Sequence, residues 1–298
     1  MAKFNKILLT GINGQVGHAL YPKLQTLGEV FALDRGQLDL ANPDAIREVV
    51  QRIKPDLITN PAAYTAVDKA ESEPELAHAI NGIAPGVFAE EAAKLGALLV
   101  HYSTDYVFDG KKTTAYIESD ETNPLSVYGA SKLAGEKAIQ AVGAAHLIFR
   151  TSWVYGAYGK NFLRTILRLA AERDTLSIVA DQFGAPTSSE SIADATISAL
   201  QQWETGKDGI YHLINSGKTS WLGFAKEILS QYESLQEVRK WPPLKIKSAD
   251  VRSITTAEYP TQAHRPANSM MSAHKLEKTF NHTSNAWNQA LSQVITTL

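Results

Sequence analysis

The sequence contains no cysteine. Disulfides, thiolate nucleophiles and cysteine-ligated zinc are therefore excluded together, while the compartment is left open. An excess of either charge is also missing. The formal net charge is −2 and no long Lys/Arg block occurs, so nucleic acid and anionic membrane surfaces are poor partners. No apolar stretch is long enough for export or for spanning a membrane, and Met1-Ala2-Lys3-Phe4-Asn5-Lys6 leads at once into a first strand. A cytoplasmic protein is expected. The eight histidines form no His-x-His or His-Glu-x-x-His pattern, so nothing in them argues for a metal. What remains is an ordinary globular balance. With 44% hydrophobic and 20% charged residues over 298 positions, the chain can bury one large α/β domain or one and a half.

From residue 6 to about 150, short apolar runs alternate with helical periods. The pattern predicts strands at 6–10, 30–34, 56–60, 98–103 and 146–151, and helices at 14–27, 43–53, 72–95 and 126–141. Such alternation implies the α/β class with a doubly wound parallel sheet, Rossmann-like, and helices on both faces. Ser72 with Glu75 fits a capping box, and Pro85 predicts two helical pieces or a kink. After residue 150 the rhythm loosens. Helices are expected at 161–173, 190–202 and 219–232, and the stretch 242–266 reads as irregular. Strands at 176–180 and 210–214 are expected to return to the core sheet. The resulting expectation is a dinucleotide-binding domain over 1–152 and a smaller, mainly substrate-binding region over 153–298, without a clean linker.

Gly11, Gly14 and Gly17 follow the run Lys6-Ile7-Leu8-Leu9-Thr10 directly. A buried strand, spaced glycines and then a helix build a pyrophosphate cradle. The first glycine permits the tight turn, the second lets the cofactor approach, and the third lets helix and strand pack closely. Val16, Leu20, Leu24 and Leu27 mark the apolar stripe of that helix, whose N-terminus can face phosphates. The second strand ends at Asp34, about twenty residues further on, where an acid can accept hydrogen bonds from an adenosine ribose. Asp34 favours NADH, while the adjacent Arg35 can pair with a 2′-phosphate, so dual use with a modest NADH bias is expected.

Tyr128 and Lys132 stand four apart near the start of a predicted helix, which places both on one face. A free phenol, with a pKa of roughly 10, exchanges protons poorly at neutral pH. A neighbouring ammonium or a cationic nicotinamide ring lowers it. The fourth strand ends in Ser103 and Thr104, at the edge that borders the ligand crevice of such a sheet, where a hydroxyl can hydrogen-bond a substrate carbonyl.

Together, Gly11-Ile12-Asn13-Gly14-Gln15-Val16-Gly17, Ser103-Thr104-Asp105 and Tyr128-x-x-x-Lys132 resemble the extended short-chain dehydrogenase/reductases. Asn60–Glu71, His101–Phe108, Phe149–Tyr155, Asp181–Thr187 and Arg265-Pro266-x-Asn268-Ser269 are similar to one branch of them, the dTDP-4-dehydrorhamnose reductase family. The resemblance runs from about residue 6 to at least 275. It implies hydride transfer from NADPH or NADH to the C4 ketone of a dTDP-bound 6-deoxy sugar, giving dTDP-L-rhamnose, a precursor of cell-surface polysaccharide. By motif position, Tyr128 would be the proton donor, Lys132 would orient the nicotinamide ribose and tune Tyr128, and Thr104 would polarise the ketone. Thr104, Asp105 and Trp153 match contacts to the sugar nucleotide. Gly14, Gln15, Val16, Asp34, Asp39, Leu40, Ala63, Tyr64, Thr65 and Tyr102 match cofactor contacts, to which Gly11, Gly17, Tyr128 and Lys132 are added.

The resemblance has departures. Some family members hold magnesium between two glutamates at a dimer interface, which also leaves a homodimer open for this chain. One matching position here is Ala19, although Glu190 is kept, so no metal is expected. Position 61 is Pro where the family usually has a small residue. A dehydratase of the same superfamily typically carries Glu immediately after Thr-Asp, and here that position is Tyr106, which favours reduction over elimination. A regulatory subunit that keeps the fold and binds a partner enzyme is the second rival, and the presence of Thr104, Tyr128 and Lys132 argues for catalysis instead.

Overall fold

The computed structural model describes residues 3–298. Among them a six-stranded parallel sheet forms from β1 (Lys6–Thr10), β2 (Glu29–Leu33), β3 (Leu57–Asn60), β4 (Leu98–Thr104), β5 (His146–Thr151) and a sixth strand, Gly209–His212. In space the order is sixth strand, β5, β4, β3, β1, β2, with every pairing parallel. The winding direction reverses between β1 and β3, and that reversal opens a crevice at their carboxyl ends. β3 and β4 are buried at every residue, as parallel strands must be when helices cover both faces.

The helices of the first half are α1 (Gln15–Leu24), α2 (Pro43–Ile53), α3 (Val67–Ala70), α4 (Pro74–His78), α5 (Ala84–Leu95) and α6 (Val127–Val142). The second half adds α7 (Phe162–Glu172), α8 (Ser189–Gln202), α9 (Trp221–Arg239), α10 (His274–Phe280) and α11 (Trp287–Ile295). Alternate residues of β1 feed opposite cores. Ile7 and Leu9 join Leu20 and Leu24 of α1 and Ile192 and Leu200 of α8, whereas Leu8 joins Val50, Phe88 and Ile139 on the other face. Local chemistry sets the helix ends. The Asn42 side chain accepts the N–H groups of Asp44 and Ala45 ahead of α2, and the Ser126 hydroxyl accepts that of Gly129 at 3.1 Å ahead of α6. Gly143, at φ 72°, ends α6.

Three expectations need correction or refinement. The strand expected at 176–180 exists as Ser177–Val179, but it pairs with Arg252–Ile254 and does not return to the core sheet. The open edge of β5 is taken by the sixth strand, and Ser177–Val179 lies only partly covered in a C-terminal layer. The span 72–95 is broken, as Pro85 required, into α4, a wide π-type turn over Ala79–Ile83 and α5. No capping box forms. The Ser72 hydroxyl donates to the Lys69 carbonyl at 2.9 Å, because it closes the unforeseen α3 rather than opening the next helix.

Residues beyond 153 serve two layers. The sixth strand completes the central sheet, α8 and α10 pack on it, and Lys23 of α1 pairs with Asp194 of α8 at 2.7 Å. A separate apolar core joins Leu163 and Ile166 of α7, Phe224 and Ile228 of α9, and Leu291 of α11.

Candidate functional site

The crevice is a cleft of about 490 Å³. Its floor is the glycine loop. Gly11 sits at φ 62°, a left-handed conformation that glycine adopts without strain, and its carbonyl accepts the Gly14 N–H at 2.8 Å. Gly17 lies so close beneath that a Cβ there would be 2.1 Å from the Gly11 oxygen. α1 therefore begins against the cleft wall. Its N-cap, Gly14, offers no side-chain acceptor and its first turn holds no acid, so its leading N–H groups are left for an anion. The Gln15 side-chain oxygen is buried without a partner at the same place.

At the far end Asp34, Arg35, Leu38, Asp39 and Leu40 line the cleft after β2. Asp34 is partly committed to its own loop, accepting from the N–H groups of Gly36 at 2.9 Å and Gln37 at 3.1 Å, and from Asn13 at 3.2 Å. After β3, residues 61–65 form the opposite wall. That wall is pinned by Asn81, whose amide exchanges hydrogen bonds with the Tyr64 backbone at 2.8 and 3.0 Å and donates to Ser131 of α6 at 3.1 Å. Every expected cofactor residue lines this single cleft: Gly11, Gly14, Gln15, Val16, Gly17, Asp34, Asp39, Leu40, Ala63, Tyr64, Thr65, Tyr102, Tyr128 and Lys132.

Tyr128 and Lys132 enter from successive turns of α6. Burial pushes the Tyr128 phenol up to about 12, the Asp105 charge adds to this, and the Thr104 hydroxyl against it works the other way. The Lys132 ammonium turns toward β4, donating to the Tyr102 carbonyl. In the chain alone burial dominates the Tyr128 phenol. Burial likewise lowers Lys132 to about 8, with Glu136 opposing. Behind Ser103, Thr104 and Asp105 are both buried, and the Thr104 hydroxyl donates to Asp105 at 3.1 Å. Burial lifts the Asp105 carboxyl to about 6, with the Ser269 and Thr104 hydroxyls beside it opposing the rise.

Trp153 stands apart from the cofactor cleft. Its φ of 49° is unusual for a bulky residue, and its indole stacks on Trp221 at 3.6 Å and covers Gly184. Ala19 is buried in α1 and offers no donor atom, while Glu190 lies in the first turn of α8. Among the described residues no three His, Asp or Glu side chains converge as a metal site. Sequence reasoning missed Gly159 and Lys160, which line the cleft from the loop before α7. No motif marks them. Their loop is brought over α1 by the stack of Tyr158 on His18 at 3.9 Å. Asn81, His101 and Thr10 were also missed as supports, because their partners come from other strands and helices.

Comparison with known proteins gives concordant results. Residues 5–298 match the family model described as the RmlD substrate binding domain. A dTDP-4-dehydrorhamnose reductase of Burkholderia thailandensis is 47% identical over 292 residues, 96% of each chain. A crystal structure of a dTDP-4-dehydrorhamnose reductase from Clostridium acetobutylicum superposes with a TM-score of 0.90 at 36% identity, covering 98% of this chain and 99% of that one. The Bacillus anthracis dTDP-4-dehydrorhamnose reductase in complex with NADP also gives 0.90, at 35% identity and full coverage of both chains (100%).

Proposed function

The chain belongs to the RmlD substrate-binding-domain family of dTDP-4-dehydrorhamnose reductases, and from that premise we propose that it reduces the C4 ketone of dTDP-4-dehydro-L-rhamnose to dTDP-L-rhamnose with NADPH or NADH. One observation carries the reading from the chain's own geometry: a phosphate-ready helix N-terminus and the Tyr128–Lys132 pair open into the same cleft.

The residues present fit a dinucleotide. The uncapped start of α1 meets a diphosphate, the Gly11–Gly14 turn removes side chains from its path, and Gln15 brings a buried oxygen without a partner. Asp34 and Arg35 flank the adenosine end, and Lys160 supplies a cation from the opposite loop. When bound, the reduced nicotinamide supplies the hydride. Tyr128 then gives its phenolic proton to the developing alkoxide at C4. Burial keeps it protonated until that oxygen appears, and efficient release of the proton at neutral pH then requires a nearby positive charge to lower its proton affinity. The Thr104 hydroxyl, which donates to Asp105 at 3.1 Å in the free chain, would turn to the same oxygen once the ketone binds. Lys132 orients the nicotinamide ribose and returns the proton to Tyr128. Trp153 closes the sugar side, consistent with residues beyond 153 supplying most substrate contacts. Tyr106 packs edge-on to Tyr128 at 5.5 Å where an eliminating enzyme needs a carboxylate, which supports reduction.

Among the described residues no helix is long and apolar enough to cross a membrane. Both reactants are charged nucleotides, and we place the reaction in the cytoplasm. The test is loss of reduced-nicotinamide absorbance with the purified chain alone, offered dTDP-4-keto-L-rhamnose beside GDP- and UDP-linked keto sugars. Turnover with the dTDP sugar is expected. No turnover by the chain alone, with cofactor binding intact, would favour the regulatory-subunit reading.

A further inference from the structure

Lys132 lines the cleft on one side and is held from behind on the other. Its Nζ faces the Tyr102 carbonyl and, at 3.2 Å, Nε2 of His101. His101 is 1% exposed and Lys132 2%, so water does not complete their hydrogen bonds. The other ring nitrogen, Nδ1, lies 3.3 Å from Asn60 Nδ2, and Asn60 Oδ1 accepts the Thr10 hydroxyl at 2.6 Å. Thus β1, β3 and β4 each give one residue to a buried row that ends on Lys132.

The donors in this row can be counted. An ammonium only donates. Facing Nε2 it needs the lone pair there, so the ring proton must sit on Nδ1 and Asn60 must turn its carbonyl oxygen toward it. In the other arrangement Asn60 Nδ2 donates to Nδ1 and the ring proton sits on Nε2. Lys132 is then the neutral amine, accepting from His101 while donating to Tyr102. Any mixture sets two donors against each other in a dry interior, at the full cost of an unmade hydrogen bond. Burial, with the Lys132 charge adding to it, holds the ring well below its ordinary range, so His101 stays neutral. Around Lys132, burial favours the amine and Glu136 the ammonium. Glu136, one turn further along α6, is held by Arg150 of β5 at 2.9 and 2.7 Å. Tyr128 of α6 is protonated, and Asp105 beyond β4 acts on Tyr128.

We propose that His101, aligned by Asn60 and Thr10, is a positioning residue that holds the Lys132 nitrogen in one place in both its charged and its neutral form. The proposal rests on Lys132 acting in the reduction described above. On titration one proton leaves, from Lys132, and the ring carries a single proton throughout, on Nδ1 before and on Nε2 after. An imidazole or an amide can offer either a lone pair or an N–H at that spot, whereas an aliphatic side chain offers neither.

The test compares H101Q with H101L. Gln keeps both options, so its kcat stays within about threefold of the parent, whereas Leu lowers kcat about tenfold or more. In H101L the alkaline limb of the kcat–pH profile also moves down by about one unit, since the charge-assisted bond lost by the ammonium is stronger than the neutral one lost by the amine. A packing role gives the reverse ranking, because Leu suits an apolar interior better than Gln, and melting temperatures are read alongside. H101L matching or exceeding H101Q in kcat, or an unmoved limb, overturns the proposal. A second readout needs neither turnover nor a folded Leu variant. In the cofactor-bound wild-type chain with 15N-labelled histidine, the His101 signal (assigned by its loss in H101Q) should change from Nδ1–H to Nε2–H as pH rises through the limb. One tautomer across the range overturns the proposal. A wild-type chain that reduces no keto sugar would sink the functional reading but not this spectroscopic result.

Discussion

Replacing Asp105 by Asn should make the protein more stable and less useful. Asp105 is 3% exposed, accepts the Thr104 hydroxyl at 3.1 Å through Oδ1, and leaves Oδ2 without a partner. Burial raises its carboxyl from 3.8 to about 6. A folded value above the unfolded one means that the folded chain binds the proton more tightly. The contribution is fully present below about pH 4 and is lost as pH rises through about 6. The shift of roughly two units corresponds to about 3 kcal/mol that the ionised side chain withholds from the fold at pH 8. Asn cannot ionise and escapes that penalty. Its new amide hydrogens would need acceptors in a buried site, which offsets about 1–2 kcal/mol of the gain. The expected net is a gain of about 1–2 kcal/mol at pH 8, or roughly 2–8 °C in Tm, and a small loss near pH 4. Thermal melts of parent and D105N at both pH values measure this, with KM for the dTDP sugar expected to rise. A difference that does not change with pH, or a less stable D105N at pH 8, would refute burial as the cause.

Y128F removes the acid but not the ring, so kcat should fall about 10²–10⁴-fold while NADPH affinity, measured by fluorescence, holds; turnover within twofold of the parent would dismiss Tyr128 as the proton donor. G17A places a methyl 2.1 Å from the Gly11 oxygen, so the loop must shift, costing about 1–3 kcal/mol and weakening binding of NADH and NADPH together; calorimetry with both cofactors shows whether it does. W153A should raise KM for the sugar nucleotide far more than KM for the cofactor. An unchanged ratio with a stability loss of about 3–5 kcal/mol would leave Trp153 as core packing against Trp221.

The central sheet was legible because its signals are local. β1 and β5 fall at their expected bounds, since a short apolar run between helical periods has few other readings. The cleft wall was legible for a related reason: glycines, Asp34 and the Tyr128–Lys132 spacing act through backbone shape or a single helix face. What escaped depends on distant partners. Ser177–Val179 reads like any core strand, and only competition for the β5 edge sends it to Arg252–Ile254. α10 and α11 carry weak local signals and are fixed by what they cover. Lys160 lies in the cleft because Tyr158 finds His18, a contact that no spacing within its own loop encodes.

The position of the sixth strand has a consequence for how the chain is made. A ribosome releases β1 to β5 well before Gly209–His212, with α7 and α8 still to come. Until then the row of β5 N–H and C=O groups that the last strand will take is an open template, flanked by Leu147 and Phe149, for any other extended chain. Once in place, the newcomer is itself guarded. The Glu118 carboxylate takes the His212 N–H at 2.8 Å and Lys275 caps the Ile210 carbonyl at 2.7 Å, so charged side chains occupy the rim that would otherwise recruit a neighbour. Fragments ending near residue 152 should therefore be sticky rather than merely inactive, and solubility is conferred late, by residues far from the chemistry.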